Sequence, residues 1–196
     1  AEPTLSRRGL LGLVGGASAA LLAVNLGESV GGPLRRLALL APRGRVFGTG
    51  PNDFQVNRTA LASGVIAAAT DPAWKLTVRG PRMLRLDRAA LLRLPQHSYE
   101  LPIACVEGWS TTQHWSGVRL AELAALVGAP ADVRMHAASF QRGGAFRQAT
   151  LTAAQVGDHR SLLALRVNGA DLSLDHGYPA RIIVPAAPGV HCTKWI

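Results

Sequence analysis

The stretch Pro102-Ile103-Ala104-Cys105-Val106-Glu107-Gly108-Trp109-Ser110 decides how the rest of the chain is read. It ends a short apolar run, puts an acid two positions beyond Cys105, and has a second tryptophan, Trp115, close behind. A thiol at the mouth of a strand, beside glycine and a carboxylate, is a candidate soft-metal ligand or nucleophile. The competing reading is packing, because free cysteine is among the most buried residue types. Cys192 is the only other cysteine, so the chain has no disulfide framework.

Working outward, the periodicity predicts a strand over 99–106 and another over 74–78, followed by a Gly80-Pro81 turn. Asp87 caps a short helix over 88–94 that Pro95 stops, and 120–127 has helical spacing ended by Gly128. Residues 133–138, 162–167 and 180–184 read as strands, the second closing on an Asn168-Gly169 turn. Strands outnumber the short, irregularly placed helices. That pattern predicts an α+β domain of mixed sheets, not a regular doubly wound sheet.

The first part of the chain differs in character. Arg7-Arg8 leads into an apolar run that ends near Leu26, interrupted by glycines, Ser18 and Asn25. Two arginines before about eighteen mostly apolar residues suit a twin-arginine export signal or a membrane-anchoring helix. Arginines also follow the run, at 35, 36, 43 and 45, so charge alone leaves the topology open. No convincing small-residue cleavage site follows, which favours a retained anchor. Residues 27–51 are rich in Gly, Pro and Arg and read as a linker. The expected division is therefore 1–50 as anchor and linker and 51–196 as the folded domain. The net charge of +9 comes almost wholly from scattered arginines, without a basic helix interleaved with aromatics or a zinc spacing. Nucleic acid is therefore not an expected partner.

A second region carries chemistry: Asp175-His176-Gly177-Tyr178-Pro179-Ala180-Arg181, then Gly189-Val190-His191-Cys192-Thr193-Lys194-Trp195. A strand entered at His176 and Arg181, with a Pro/Gly-rich loop returning Lys194, can build an anion pocket. Solvated basic residues on an ordinary strand and turn would look the same in sequence.

Together, Cys-Val-Glu-Gly-Trp-Ser and His-Gly-Tyr-Pro-Ala-Arg…Thr-Lys-Trp resemble the sulfite-oxidase-like family of molybdopterin-dependent oxidoreductases over residues 52–196. The branch most resembled is the membrane-anchored methionine-sulfoxide-reductase catalytic subunit. The resemblance implies a sulfite-oxidase-type molybdopterin-binding fold and a molybdenum–molybdopterin cofactor with one pterin per metal. It makes Cys105 the metal ligand and Glu107 an acid near the metal. Asn52, Gln55, Val56 and Asn57 fall where the family wraps an early loop around the cofactor. Ser139 falls at a pterin contact, and His176, Arg181, Cys192, Thr193 and Lys194 at pterin and phosphate contacts, Cys192 mainly through its backbone.

The departures carry expectations of their own. Sulfite oxidases have an arginine just before the early-loop asparagine, where this chain has Val56, with Arg58 after Asn57. They lack the acid found here at Glu107, which would repel sulfite in a poorly screened pocket. The expected function is two-electron oxygen-atom transfer on a small molecule, S-oxide or N-oxide reduction, coupled to a membrane haem or quinone carrier. The catalytic domain is expected outside the cytoplasm. Relatives continue past the position of Ile196, so the domain is expected to be C-terminally incomplete. Alternatives are a sulfite-type oxidase on the same cofactor, a cofactor-free extracytoplasmic binding module, and an exported basic adhesion domain.

Overall fold

The computed structural model describes residues 6–29, 47–105, 109–144 and 146–196. The chain divides into two units, Ala1–Val46 and Phe47–Ile196. The described residues of the first form a helix, α1 (Arg7–Ser29). Among the described residues no helix is long and apolar enough to cross a membrane. The spanning segment expected over 7–26 is not found there, and its last part lies outside the residues whose side chains the structure describes.

The second unit is α+β, as the sequence pattern predicts. Its helices are single turns or little more: α2 (Ala60–Ser63), α3 (Ile66–Ala69), α4 (Arg88–Arg93), α5 (Leu120–Leu126) and α6 (Ala153–Gly157). Local chemistry fixes their starts. Asp87 caps α4 by accepting from the Ala90 N–H, and Thr152 and Gln155 form a reciprocal capping box on α6. A hairpin, β1 (Leu76–Arg79) with β2 (Met83–Leu86), precedes the main sheet. That sheet holds β3 (His97–Ala104), β4 (Ser110–Arg119), β7 (Leu162–Val167) and β8 (Ala170–Asp171) in this order, with β9 (Arg181–Ile183) also paired to β7. A third ladder joins β5 (Met135–Ala138) to β6 (Gln148–Leu151). Every pairing among the described residues is antiparallel.

The centre of the sheet is covered on both faces. Leu163 and Leu165 of β7 join one apolar cluster with Leu91, Val118, Leu120 and Ile182. Leu162 and Ala164 join the other with Trp115, Ile103 and Ile183. This split is the period-two geometry of a strand, and each fully buried leucine contributes about 1.5–3 kcal/mol. At the β4 irregularity between Ser116 and Gly117, the chain runs so close to β7 that a Cβ on Gly117 would overlap the Leu163 carbonyl. Glycine is required there. The consequence for the site is a rigid sheet whose β3–β4 turn and β9 end open on one cavity.

Candidate active site

Cys105 directly follows β3 and is half-buried. Its N–H donates to the Trp109 carbonyl at 2.8 Å, which closes the turn between β3 and β4. The loop after β9 presses on the same place: a Cβ on Gly189 would lie 2.5 Å from the Ala104 carbonyl oxygen. Only glycine lets that loop approach the cysteine turn so closely. The cavity formed there has a volume of about 320 Å³. Its walls come from the loop 54–58, the end of β3 with Cys105, Gln141, Gly144, Phe146, His176, Arg181 and the stretch 189–195.

Arg181 opens β9 and is 5% exposed. Its Nη1 and Nη2 donate to the carbonyls of His176 and Cys192, both at 3.1 Å, and the guanidinium lies 5.0 Å from the Trp115 ring centre. Its Nε is buried without a partner, and no carboxylate pairs with it among the described residues. Burial pulls its pKa down to about 10, so it stays charged at neutral pH. An uncompensated buried cation is costly unless an anion joins it.

Lys194 adds a second cation. Its Nζ donates to the carbonyls of Arg58 at 2.6 Å and Asp175 at 2.8 Å, over the Trp195 ring. Burial first, then the charge of Arg181, lowers its pKa to about 7. A phosphate beside it would push that value back up by favouring the charged form. Thr193 between them is buried, and its Oγ1 has no partner.

His176 is 2% exposed and stacks on Phe54 with ring centres 3.7 Å apart. Burial, helped by Arg181, lowers its pKa to about 4. The ring is therefore neutral at pH 7, and its Nε2 donates to the Asn52 carbonyl at 2.9 Å. Cys192 lines the cavity, but its buried Sγ points to the Val184 carbonyl and burial raises its pKa, which makes it an inert packing thiol.

Most of the residues singled out from sequence thus meet in one place: Cys105, Gln55, Val56, Asn57, His176, Arg181, Cys192, Thr193 and Lys194 all line the cavity. Asn52 does not. It braces the cavity from behind, its side chain bonded to the Asp171 carbonyl and the Ser173 N–H. Ser139 is also displaced from its expected position: it lines a separate apolar cavity of about 910 Å³, and its Oγ accepts from the Gln141 N–H. Glu107 lies outside the described residues. Sequence reasoning missed Phe54, Arg58, Trp109, Thr111, Gln141 and Phe146 as lining residues. Arg58 carried a signal, since it flanks Asn57, but its side-chain direction needed the fold.

A cavity with one half-buried thiol, the buried Arg181 and the half-buried Lys194 suits an anionic, metal-bearing organic cofactor. No group of three or more His, Cys, Asp or Glu side chains among the described residues could hold a metal ion. The family described as "Oxidoreductase molybdopterin binding domain" matches residues 63–196, and the chain belongs to it. Similar proteins include sulfite oxidase of Gallus gallus, 27% identical over 181 residues, covering 74% of this chain and 38% of that protein. Sulfite oxidase of Arabidopsis thaliana is 31% identical over 96 residues, covering 42% of this chain and 24% of that protein. In structure the chain resembles the sulfane dehydrogenase SoxCD of Paracoccus pantotrophus, with a TM-score of 0.57 and 25% identity, covering 63% of this chain and 36% of that one. The matches to these relatives thus span well under half of their length. The family's cofactor is molybdenum–molybdopterin. The residues present fit it, because the unpartnered Arg181 Nε and Thr193 Oγ1 offer donors to a phosphate.

Proposed function

We propose that this chain is the catalytic domain of an exported, membrane-associated enzyme that reduces organic S-oxides or N-oxides, of the methionine-sulfoxide-reductase-like branch. Electrons would come from a haem or quinone carrier in the membrane. The observation that carries the oxidoreductase reading is the convergence of the Cys105 thiol with Arg181 and Lys194 on one cavity. When bound, molybdenum–molybdopterin supplies the two-electron redox centre. Cys105 would give the metal a soft thiolate ligand. Arg181, Thr193 and Lys194 grip the phosphate, and neutral His176, held by the Asn52 carbonyl and the Phe54 ring, meets the pterin. Glu107, two positions beyond Cys105 in sequence, would be the acid that holds a proton for the reaction. Arg7-Arg8 and α1 support the export reading, since that signal type carries folded proteins.

The test is elemental analysis with pterin release on protein made where pterin synthesis is intact. One molybdenum and one pterin per chain are expected. Cys105→Ser should lower metal retention and turnover by more than about a hundredfold, because even second-shell changes cost up to that much. Full activity in purified Cys105→Ser protein would falsify the assignment of the ligand.

A second reading, sulfite-type oxidation, is favoured by one observation: Arg58 lies in the cavity wall although it follows Asn57 in sequence. Steady-state assays with sulfite against S-oxides and N-oxides separate the two.

A further inference from the structure

With Arg181, Thr193 and Lys194 assigned to the cofactor, the rim of the same cavity still carries chemistry without a task. Arg58 is exposed there, and among the described residues no carboxylate pairs with it. One guanidinium nitrogen, Nη2, donates to the Ala62 carbonyl at 3.3 Å. The other, Nη1, and the Gln141 amide both lie over Gly144, with Gln141 Nε2 also donating one proton to the Gly143 carbonyl. A Cβ on Gly144, at φ +111°, would sit 3.1 Å from Nη1 and 2.6 Å from Gln141 Nε2. The missing side chain therefore lets two side-chain donors converge. Beside them Phe146 lines the cavity with 61% of its surface exposed. A guanidinium takes anions, and an exposed aromatic face takes apolar groups. A small inorganic oxyanion would engage the donors and leave the ring unused.

We propose that Arg58, Gln141 and Phe146 select the substrate, an organic S-oxide that also carries an anionic group. The donors hold the anion and the ring holds the apolar body. This rests on the reductase reading above. In the reaction the S–O bond breaks, and the sulfur takes the electron pair and becomes a sulfide. Two electrons come from the carrier, and two protons from solvent leave with the oxygen as water. The anionic group is unchanged.

The test uses cofactor-loaded wild type, Arg58→Gln and Phe146→Ala, with a reduced viologen dye as donor. The substrates are dimethyl sulfoxide, methyl phenyl sulfoxide and para-(methylsulfinyl)benzoate. Binding of the unreactive para-(methylsulfonyl)benzoate is measured separately by calorimetry. Wild type should prefer the benzoate over methyl phenyl sulfoxide by about tenfold in kcat/KM, expressed in KM, as one charge-assisted contact provides. Arg58→Gln should erase that ratio and weaken sulfone binding by the same factor. Phe146→Ala should lose several-fold on both aryl sulfoxides relative to dimethyl sulfoxide, on the order of one aromatic contact. Equal losses on both aryl substrates in Arg58→Gln, with reduced pterin content, would make Arg58 a cofactor ligand and overturn the proposal alone. So would a loaded wild type indifferent to the carboxylate. Loaded wild type that reduces no sulfoxide overturns the reductase reading and this proposal with it.

Discussion

Two cavities meet across a single layer of chain, and they differ in almost every property. Ser139 and Phe140 line the larger one, of about 910 Å³, while the next residue, Gln141, lines the smaller one, of about 320 Å³. Trp195 and Ile196 divide in the same way, and the Phe140 N–H donates to the Trp195 carbonyl at 2.9 Å, joining the two walls. The larger cavity has a floor of apolar side chains such as Leu120, Leu123 and Val133, and its charged lining residues, Asp71, Lys75, Arg79 and Arg134, are exposed to solvent. The smaller one holds a thiol, the buried Arg181, the half-buried Lys194 and polar atoms without partners. Size therefore does not locate the chemistry here; unsatisfied charge does.

The sharpest way to break that contrast is to remove the charge. Arg181→Gln keeps a donor but loses the cation. Pterin retention should fall by about a hundredfold or more, the scale of a buried charge contact. In cofactor-free protein, inorganic phosphate should raise the Tm of wild type and leave that of Arg181→Gln unmoved. An equal shift in both would place the anion elsewhere.

The next effect is a pH dependence that only the small cavity can produce. The folded-state pKa of His176 is about 4, below the ordinary imidazole value of 6.5, so the unfolded chain binds the proton first. Its contribution to stability is complete above about pH 6.5 and is lost as pH falls to about 4, in total about 3 kcal/mol. Urea midpoints at several pH values should fall more steeply for wild type than for His176→Gln across this window. Parallel slopes would mean that the imidazole is not held neutral. A smaller effect tests the loop contact. Gly189→Ala sets a methyl 2.5 Å from the Ala104 oxygen and should cost about 1–3 kcal/mol, with weaker pterin retention. Unchanged stability would show that the loop can retreat freely from the cysteine turn.

How much of this was legible in the sequence follows the same division. The strands near 74–78, 99–106, 133–138, 162–167 and 180–184 announce themselves by period or apolar runs, and all fall at or beside observed strands. β4 did not, because Ser110-Thr111-Thr112-Gln113-His114 is polar and the strand bends at Gly117. β6 did not either, since its short alternation, Gln148-Ala149-Thr150-Leu151, is too weak alone. Within the site, residues near the cysteine turn and on the last strand were readable because motif and position coincide. Arg58, Gln141 and Phe146 were not, because their role comes from three loops that only the tertiary fold brings to one rim.

Ser139 gives the smallest and most discriminating effect. In sequence it stands where a hydroxyl would contact the pterin, yet the fold turns it to the larger cavity, where its Oγ accepts the Gln141 N–H at 3.1 Å. Ser139→Ala should therefore leave molybdenum and pterin content unchanged. It should cost no more than about 0.5–1.5 kcal/mol, the worth of one hydrogen bond. A small rise in KM can reach the rim through Gln141, because that bond sets the start of the loop. Loss of pterin in Ser139→Ala, with the fold intact by circular dichroism, would mean that the wall between the cavities rearranges around the bound cofactor. The separation of an apolar cavity from a charged one would then hold only for the cofactor-free protein.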